Sequence, residues 1–242
     1  MKHFGLIGKS LSHSFSKTFF ENKFRKESIT NTTYNNFPLE NIEDFSSLLN
    51  RTDLFGLNVT IPYKTAIIPF LDELSTEAKA IGAVNTLQFK ENKIIGHNTD
   101  HIGFHNSIKP FLDNTMERAL ILGTGGASKA VIYALEQIGV VCLCVSRNPK
   151  EDQLSYKDVS ELVIKHHLLI VNTSPLGTSP NIHEYPNIPY QFITDKHLLV
   201  DLVYNPEETP FLKKGKEKRA AILNGKSMLI HQAEAAWRIW NP

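Results

Sequence analysis

Cysteine is scarce: the 242 residues contain only Cys142 and Cys144. They lie two apart in the apolar run VVCLCV, where neighbours on one strand are badly placed to bridge each other. A disulfide framework is excluded, and a reducing compartment is the expectation. An excess of one charge is missing too. Lys and Arg number 26 against 25 Asp and Glu, a net charge of +1. No general field draws nucleic acid or an anionic membrane to the chain, so any anion site must be local. No apolar run approaches the ~20 residues that a membrane-spanning helix needs. The opening MKHFGLIGKSLSHSF has an apolar patch broken by Gly8, Lys9 and serines, which reads as a first strand rather than a signal peptide. Internal repeats and low-complexity segments are lacking. With 41% hydrophobic and 21% charged residues, disorder and coiled coil are excluded. At roughly 150 residues per domain the length falls between one domain and two. It buries a core without staples. The expectation is a soluble, cytoplasmic, globular protein.

Strands and helices alternate along the chain. Strand patterns cover 3–7, 32–37 and 55–61, and helical patterns cover 17–25 and 41–49. Pro62 ends the third strand and suits a helix start, which predicts a helix over 63–71. A second short helix follows near 77–81. Residues 83–89 and 93–96, joined by the polar turn Glu91-Asn92, read as a hairpin. Thr99 or Asp100 can cap a helix running to Ile108. After the apolar strand 119–122, Ala127, Ala130, Val131, Ala134, Leu135 and Ile138 mark one helix face. Gly139 closes that helix, and 140–145 reads as a buried strand. Further strands are expected at 168–172, 198–203 and 220–223. A last helix spans 226–240, with Leu229, Ala233, Ala236, Trp237 and Trp240 as its apolar stripe. This alternation predicts an α/β fold with a parallel sheet covered on both faces.

The turn Gly123-Thr124-Gly125-Gly126-Ala127-Ser128 matches G-x-G-x-x-[G/A], with a small serine in the last slot. It follows a strand and opens a helix, the setting that a dinucleotide-binding turn requires. The first glycine allows the tight turn, and the second lets backbone approach a pyrophosphate at the helix N-terminus. The alternative is a glycine-rich turn with no ligand. About 20 residues on, where an NAD-binding fold carries an acid for the ribose, stand Ser146-Arg147-Asn148-Pro149-Lys150. A guanidinium there suits a 2′-phosphate, so the expected cofactor is NADP. The alternative is a solvated loop arginine.

Three polar clusters precede that turn. Ser10, Ser12, His13, Ser14 and Ser16 could bind a carboxylate or polyol, or could simply cap a helix. Lys64, in Asn58-Val59-Thr60-Ile61-Pro62-Tyr63-Lys64, is placed in a first helical turn, where a cation opposes the helix dipole. It is either a surface lysine or, near a carboxylate, a proton donor. Asp100, in Gly96-His97-Asn98-Thr99-Asp100, is by default a helix cap, but facing Lys64 it would complete an acid/base pair. His97, His101 and His105 have i, i+4, i+8 spacing. Because His97 precedes the helix, they do not share a face, and no metal is expected.

These segments, in this order, resemble the shikimate dehydrogenase (shikimate/quinate dehydrogenase) family over nearly the whole chain. The carriers are residues 8–16 and 58–64, Gly82-Ala83-Val84-Asn85-Thr86, residues 96–100 with Gly103-Phe104, and the glycine turn. Downstream are Asn172-Thr173-Ser174-Pro175-Leu176-Gly177, residues 201–206 with Thr209-Pro210, and Gly225-Lys226-Ser227-Met228-Leu229-Ile230-His231-Gln232-Ala233. The chain departs from the family pattern at Lys17, Ser146 and Thr178. The resemblance implies two domains. Residues 1–100 with 225–242 would form an open, mostly parallel α/β substrate domain, and 101–224 an inserted Rossmann-like dinucleotide-binding domain, with substrate in the cleft. It implies that Lys64 and Asp100 are the catalytic pair and that Ser14 and Ser16 hold a carboxylate. Thr60, Asn85, Tyr204 and Gln232 complete the substrate site. The cofactor would be NADP, held by Gly123, Gly125, Gly126, Ala127, Ser146, Arg147, Lys150, Thr173 and Gly225. The implied reaction is reversible NADPH-dependent reduction of 3-dehydroshikimate to shikimate, in aromatic amino acid biosynthesis, by a monomer or homodimer. The alternatives are an NAD-dependent quinate/shikimate dehydrogenase, against which the missing acid argues, and a non-catalytic dinucleotide-binding module.

Overall fold

In a computed structural model, residues 1–11, 14–51 and 53–241 are described. Ser12 and His13 of the serine-rich segment lie outside them. The chain divides into two compact units, Met1–Gly103 with Leu229–Pro242, and Phe104–Met228.

The first unit carries β1 (Lys2–Gly8), α1 (Phe15–Lys26), β2 (Thr32–Pro38), α2 (Phe45–Leu48), β3 (Leu54–Val59), β4 (Glu73–Leu74), α3 (Thr76–Ile81), β5 (Thr86–Lys90) and β6 (Lys93–His97). Its six-stranded sheet has the order β2-β1-β3-β5-β6-β4. β1 runs parallel to β2 and β3, whereas β5 is antiparallel to β3 and to β6. The expected hairpin is therefore present, with Glu91 and Asn92 both at positive φ in its turn, as a tight hairpin connection requires.

The predicted helix over 63–71 does not form. Residues 61–67 turn, and only a 3-10 helix, Ile68–Phe70, follows. The Lys64 carbonyl accepts the Val84 N–H at 2.7 Å, so it is not free to bond Ile68 as an α-helix demands.

α4 (Asp100–Ile108) leads out of the first unit. The second unit continues with β7 (Arg118–Leu122), α5 (Gly126–Glu136), β8 (Val141–Ser146), β9 (Leu154–Ser155), α6 (Glu161–His166), β10 (Leu169–Asn172), β11 (Leu198–Asp201), α7 (Pro210–Glu217) and β12 (Ala221–Leu223). Every strand pairing in it is parallel. The order β12-β11-β10-β7-β8-β9 is the doubly wound 3-2-1-4-5-6 arrangement, with its switch point between β7 and β10. Alternate residues feed the two faces. Ala119, Ile121, Leu169 and Val171 pack with α5, while Leu120, Leu122, Ile170 and Leu199 pack with α6 and α7. β8 is less buried than expected. Val141 is 65% exposed, because the two-residue β9 covers only the far end of β8.

α8 (Lys226–Trp240) returns to the first unit. There Ala233, Ala236 and Trp240 join Phe4, Phe20, Phe24 and Tyr34 in one core. Gly56 leaves room for the Trp240 ring, which any Cβ would strike, and the indole N–H donates to the Leu87 carbonyl at 2.9 Å. That docking holds Gln232 in place on the same helix. Among the described residues no helix is long and apolar enough to cross a membrane.

Candidate active site

The polar centre of the first unit is built where β3 and β6 end and β5 and α4 begin. Lys64 Nζ donates to Asp100 Oδ2 at 2.6 Å, with side chains 16% and 7% exposed. Such a charge-assisted bond, shielded from water, fixes both partners. Asp100 is not the cap of α4. Asn98 Oδ1 accepts the N–H groups of Asp100 and His101 at 3.0 and 3.4 Å, which leaves the Asp100 carboxylate for Lys64. The second Asp100 oxygen accepts Asn85 Nδ2 at 2.9 Å. Asn85 Nδ2 also reaches Thr99 Oγ1 at 3.0 Å and Gln232 Oε1 at 3.4 Å, and Asn85 Oδ1 accepts the Thr99 N–H at 2.6 Å.

Behind this centre Asn58 and Thr86 face each other across β3 and β5. Asn58 Nδ2 donates to the Asn85 carbonyl and to Thr86 Oγ1, both at 3.2 Å. The Tyr34 phenol donates to Asn58 Oδ1 at 2.7 Å. Burial pushes the phenol well above its ordinary range, against a smaller opposite effect of the nearby Ser16, so it stays protonated. Ser14 stands at the N-cap of α1 yet its side chain makes no capping bond. Its buried hydroxyl has no partner among the described residues, which leaves it free for an anion. Thr60 holds the chain here through its backbone, donating to Ile7 and accepting from Tyr63, both at 2.9 Å.

In the second unit the glycine turn sits at the switch point of the sheet. Gly123, at φ +116°, has no room for a Cβ beside Thr173 Oγ1. Thr173 bonds the Leu122 carbonyl through both its N–H and its hydroxyl, each at 3.0 Å. Gly125 is the N-cap of α5, and a Cβ there would enter open space. Ser128 turns inward and donates to the Gly125 carbonyl at 2.6 Å, so the turn is braced from behind. The Gly123 N–H bonds the Val145 carbonyl at 2.9 Å, which sets the Ser146-Arg147 loop beside the turn. Arg147 and Lys150 are exposed. Gly225 donates to the Val203 carbonyl at 3.2 Å, next to Tyr204. These residues fit a dinucleotide: a glycine cradle open at the helix end, and an exposed guanidinium where the adenosine ribose of such folds lies.

The family described as shikimate dehydrogenase substrate binding domain matches residues 6–87. A shikimate dehydrogenase (NADP(+)) of Clostridium botulinum (strain Hall) is 39% identical, covering 98% of this chain and 95% of the relative. The chain belongs to the shikimate dehydrogenase family. The crystal structure of shikimate dehydrogenase from Aquifex aeolicus is similar at a TM-score of 0.89 and 36% identity, over 100% of this chain and 92% of that one. That of Thermus thermophilus shikimate 5-dehydrogenase, in complex with NADP(H) and shikimate, is similar at a TM-score of 0.88 and 30% identity, over 100% and 94%.

Within this shikimate dehydrogenase fold, Lys64, Asp100, Asn85 and Gln232 form one connected network, and the Tyr34 phenol backs it through Asn58. The glycine turn and Thr173 form a second group, with Ser146 and Arg147 beside it and Tyr204 near Gly225. Asn58, Thr86 and Thr99 lie inside the motif segments, but single residues there carried no separate signal. Tyr34 carried none, since it joins the site only through strand pairing.

Proposed function

We propose that this protein is an NADP-dependent shikimate dehydrogenase, catalysing the reversible reduction of 3-dehydroshikimate to shikimate. The observation that carries the reading is the shielded Lys64–Asp100 pair, held by Asn85, in a chain of this family. Met1–Gly103 with Leu229–Pro242 binds the substrate, and Phe104–Met228 binds NADP. Bound NADPH supplies the hydride that reaches the substrate carbonyl carbon. The Lys64 ammonium stabilises the charge that builds on the carbonyl oxygen and passes a proton to it, then regains one from water. Asp100 orients Lys64 and accepts a hydrogen bond from the neighbouring ring hydroxyl. Asn85, Gln232 and Thr60 bind the ring hydroxyls. Ser14 and Ser16 donate to the carboxylate, and the unpartnered Ser14 hydroxyl supports that role. Gly123, Gly125, Gly126 and Ala127 receive the pyrophosphate, while Ser146, Arg147 and Lys150 receive the 2′-phosphate. Thr173 and Gly225 line the nicotinamide end. The enzyme works in the cytoplasm, as a monomer or homodimer, in aromatic amino acid biosynthesis.

Purified protein mixed with shikimate and NADP tests this by the absorbance of reduced cofactor, beside parallel reactions with NAD and with quinate. Turnover is expected with shikimate and NADP. Preference for NAD or quinate would make it a quinate/shikimate dehydrogenase, and no turnover at all would leave a non-catalytic dinucleotide-binding module.

A further inference from the structure

Thr86 opens β5, is fully buried, and pairs with Asn58 across the antiparallel register. Valine would suit the strand equally and would bring no polar atom to satisfy. A buried hydroxyl is retained at a cost unless its bonds are made. Here they are made. Asn58 must turn Nδ2 towards the Asn85 carbonyl, which can only accept. The same Nδ2 reaches Thr86 Oγ1. Thr86 therefore accepts from Asn58, and its own proton faces Asn85 Oδ1 at 3.1 Å, nearer than Thr99 Oγ1 at 3.3 Å. The Thr99 N–H and the Thr99 hydroxyl reach the same Asn85 oxygen at 2.6 and 3.2 Å. With Oδ1 facing these donors, Asn85 presents Nδ2 to acceptors only, the Asp100 carboxylate first among them.

We propose that Thr86 is a positioning residue of the Lys64–Asp100 centre, its hydroxyl keeping the Asn85 carboxamide turned with its N–H towards Asp100. The inference rests on the reading of that centre as the reaction machinery. Without the hydroxyl, Asn58 loses an acceptor and Asn85 Oδ1 loses one of its three donors, leaving both of the others on Thr99. The carboxamide then rotates more freely, and each turn that brings its oxygen to Asp100 sets two acceptors against each other.

Steady-state kinetics with shikimate and NADP on Thr86→Val, Thr86→Ala and Thr86→Ser test this, with thermal melts to verify folding. Thr86→Val and Thr86→Ala should lower kcat/KM for shikimate about tenfold, the effect of one lost hydrogen bond at a buried site. Thr86→Ser, which keeps the hydroxyl, should stay near wild type, and KM for NADP should not change. Thr86→Val placed on Asn85→Ala should lower kcat/KM no further, because the hydroxyl acts through Asn85. Should Thr86→Val not fold, the Ser/Ala pair still isolates the hydroxyl. Equal losses for Ser and Ala, wild-type kcat/KM in both Val and Ala, or a full further loss on Asn85→Ala would overturn the proposal while leaving the enzyme reading intact. A wild-type protein that does not turn over shikimate with either cofactor would overturn both.

Discussion

Lys64 and Asp100 neutralise each other at 2.6 Å, so neither is replaceable by a residue that only fills space. Lys64→Ala removes the positioned proton donor and should lower kcat by about 10²- to 10⁴-fold. Near-normal turnover in a folded variant would return Lys64 to a structural ion pair. Ser14 is a sharper case, because its hydroxyl has no partner among the described residues. Ser14→Ala should leave the melting temperature unchanged. It should raise KM for shikimate about tenfold, the value of one bond to a charged group, and change little for an analogue lacking the carboxylate. At the cofactor end Arg147 is exposed beside the glycine turn, with no acid to repel a 2′-phosphate. Arg147→Ala should weaken NADP by about 10- to 100-fold and NAD much less, read as kcat/KM for both cofactors. Equal losses would remove Arg147 as the phosphate reader. These residues were legible because their chemistry is written in their side chains and motif positions. Tyr34 and Thr86 were not. A tyrosine and a threonine on strands are by default packing residues, and only the pairing of β3 with β5 and the reach of Tyr34 to Asn58 give them a role.

Elements with a strong period or a plain stop signal were readable: β1, α1, the β5–β6 hairpin and α8 form where the pattern places them, and α5 starts as expected but stops at Glu136. The segment after Pro62 was misread because a proline at a helix start is permissive, not sufficient, and the Lys64 carbonyl is claimed by Val84 from outside the segment. Ile138 was counted with the α5 face, but the helix ends at Glu136 and Ile138 is 39% exposed. α8 shows what an apolar stripe cannot say by itself, namely its partner. Trp240 seats in the notch at Gly56, with its ring centroid 4.9 Å from that of Phe4. Gly56→Ala should force the indole out of this seat and cost about 1–3 kcal/mol, the range for overpacking a core. Trp240→Phe in that background should recover part of the loss, because the smaller ring vacates the notch. Urea unfolding of wild type and the two variants decides the matter, and an unchanged midpoint for Gly56→Ala would show that α8 is not seated by this contact.

For the whole molecule, the alternation of strand and helix implied a doubly wound sheet, and the second unit has that order. It did not reveal that β5 pairs antiparallel with β3, since a hairpin's partner on its outer side is a tertiary choice. Nor did it mark α6 and α7, which are only six and eight residues long, too short for a clear period. With a net charge of +1, general repulsion contributes little to pH dependence near neutrality, and individual buried groups matter more. Asp201 is one. It is fully buried at the end of β11, accepting from Thr209 Oγ1 at 2.6 Å, Asn172 Nδ2 at 2.9 Å and the Val203 N–H at 3.0 Å. Burial raises its pKa to about 6 from an ordinary 3.8, although the three donors pull the other way. The folded state therefore holds this proton more tightly than the unfolded chain. Stability from Asp201 is fully present below about pH 4 and is lost as pH rises through about 6, a change on the order of 3 kcal/mol. Asp201→Asn cannot ionise. The unfolding free energy of wild type minus that of the variant should thus fall between about pH 4 and about pH 7 and level off above. Both tryptophans, Trp237 and Trp240, lie in the first unit, so urea unfolding followed by far-UV circular dichroism, not tryptophan fluorescence, reports on Asp201. A difference that stays flat across that range would mean the three donors hold Asp201 ionised throughout, with burial outweighed by its hydrogen bonds.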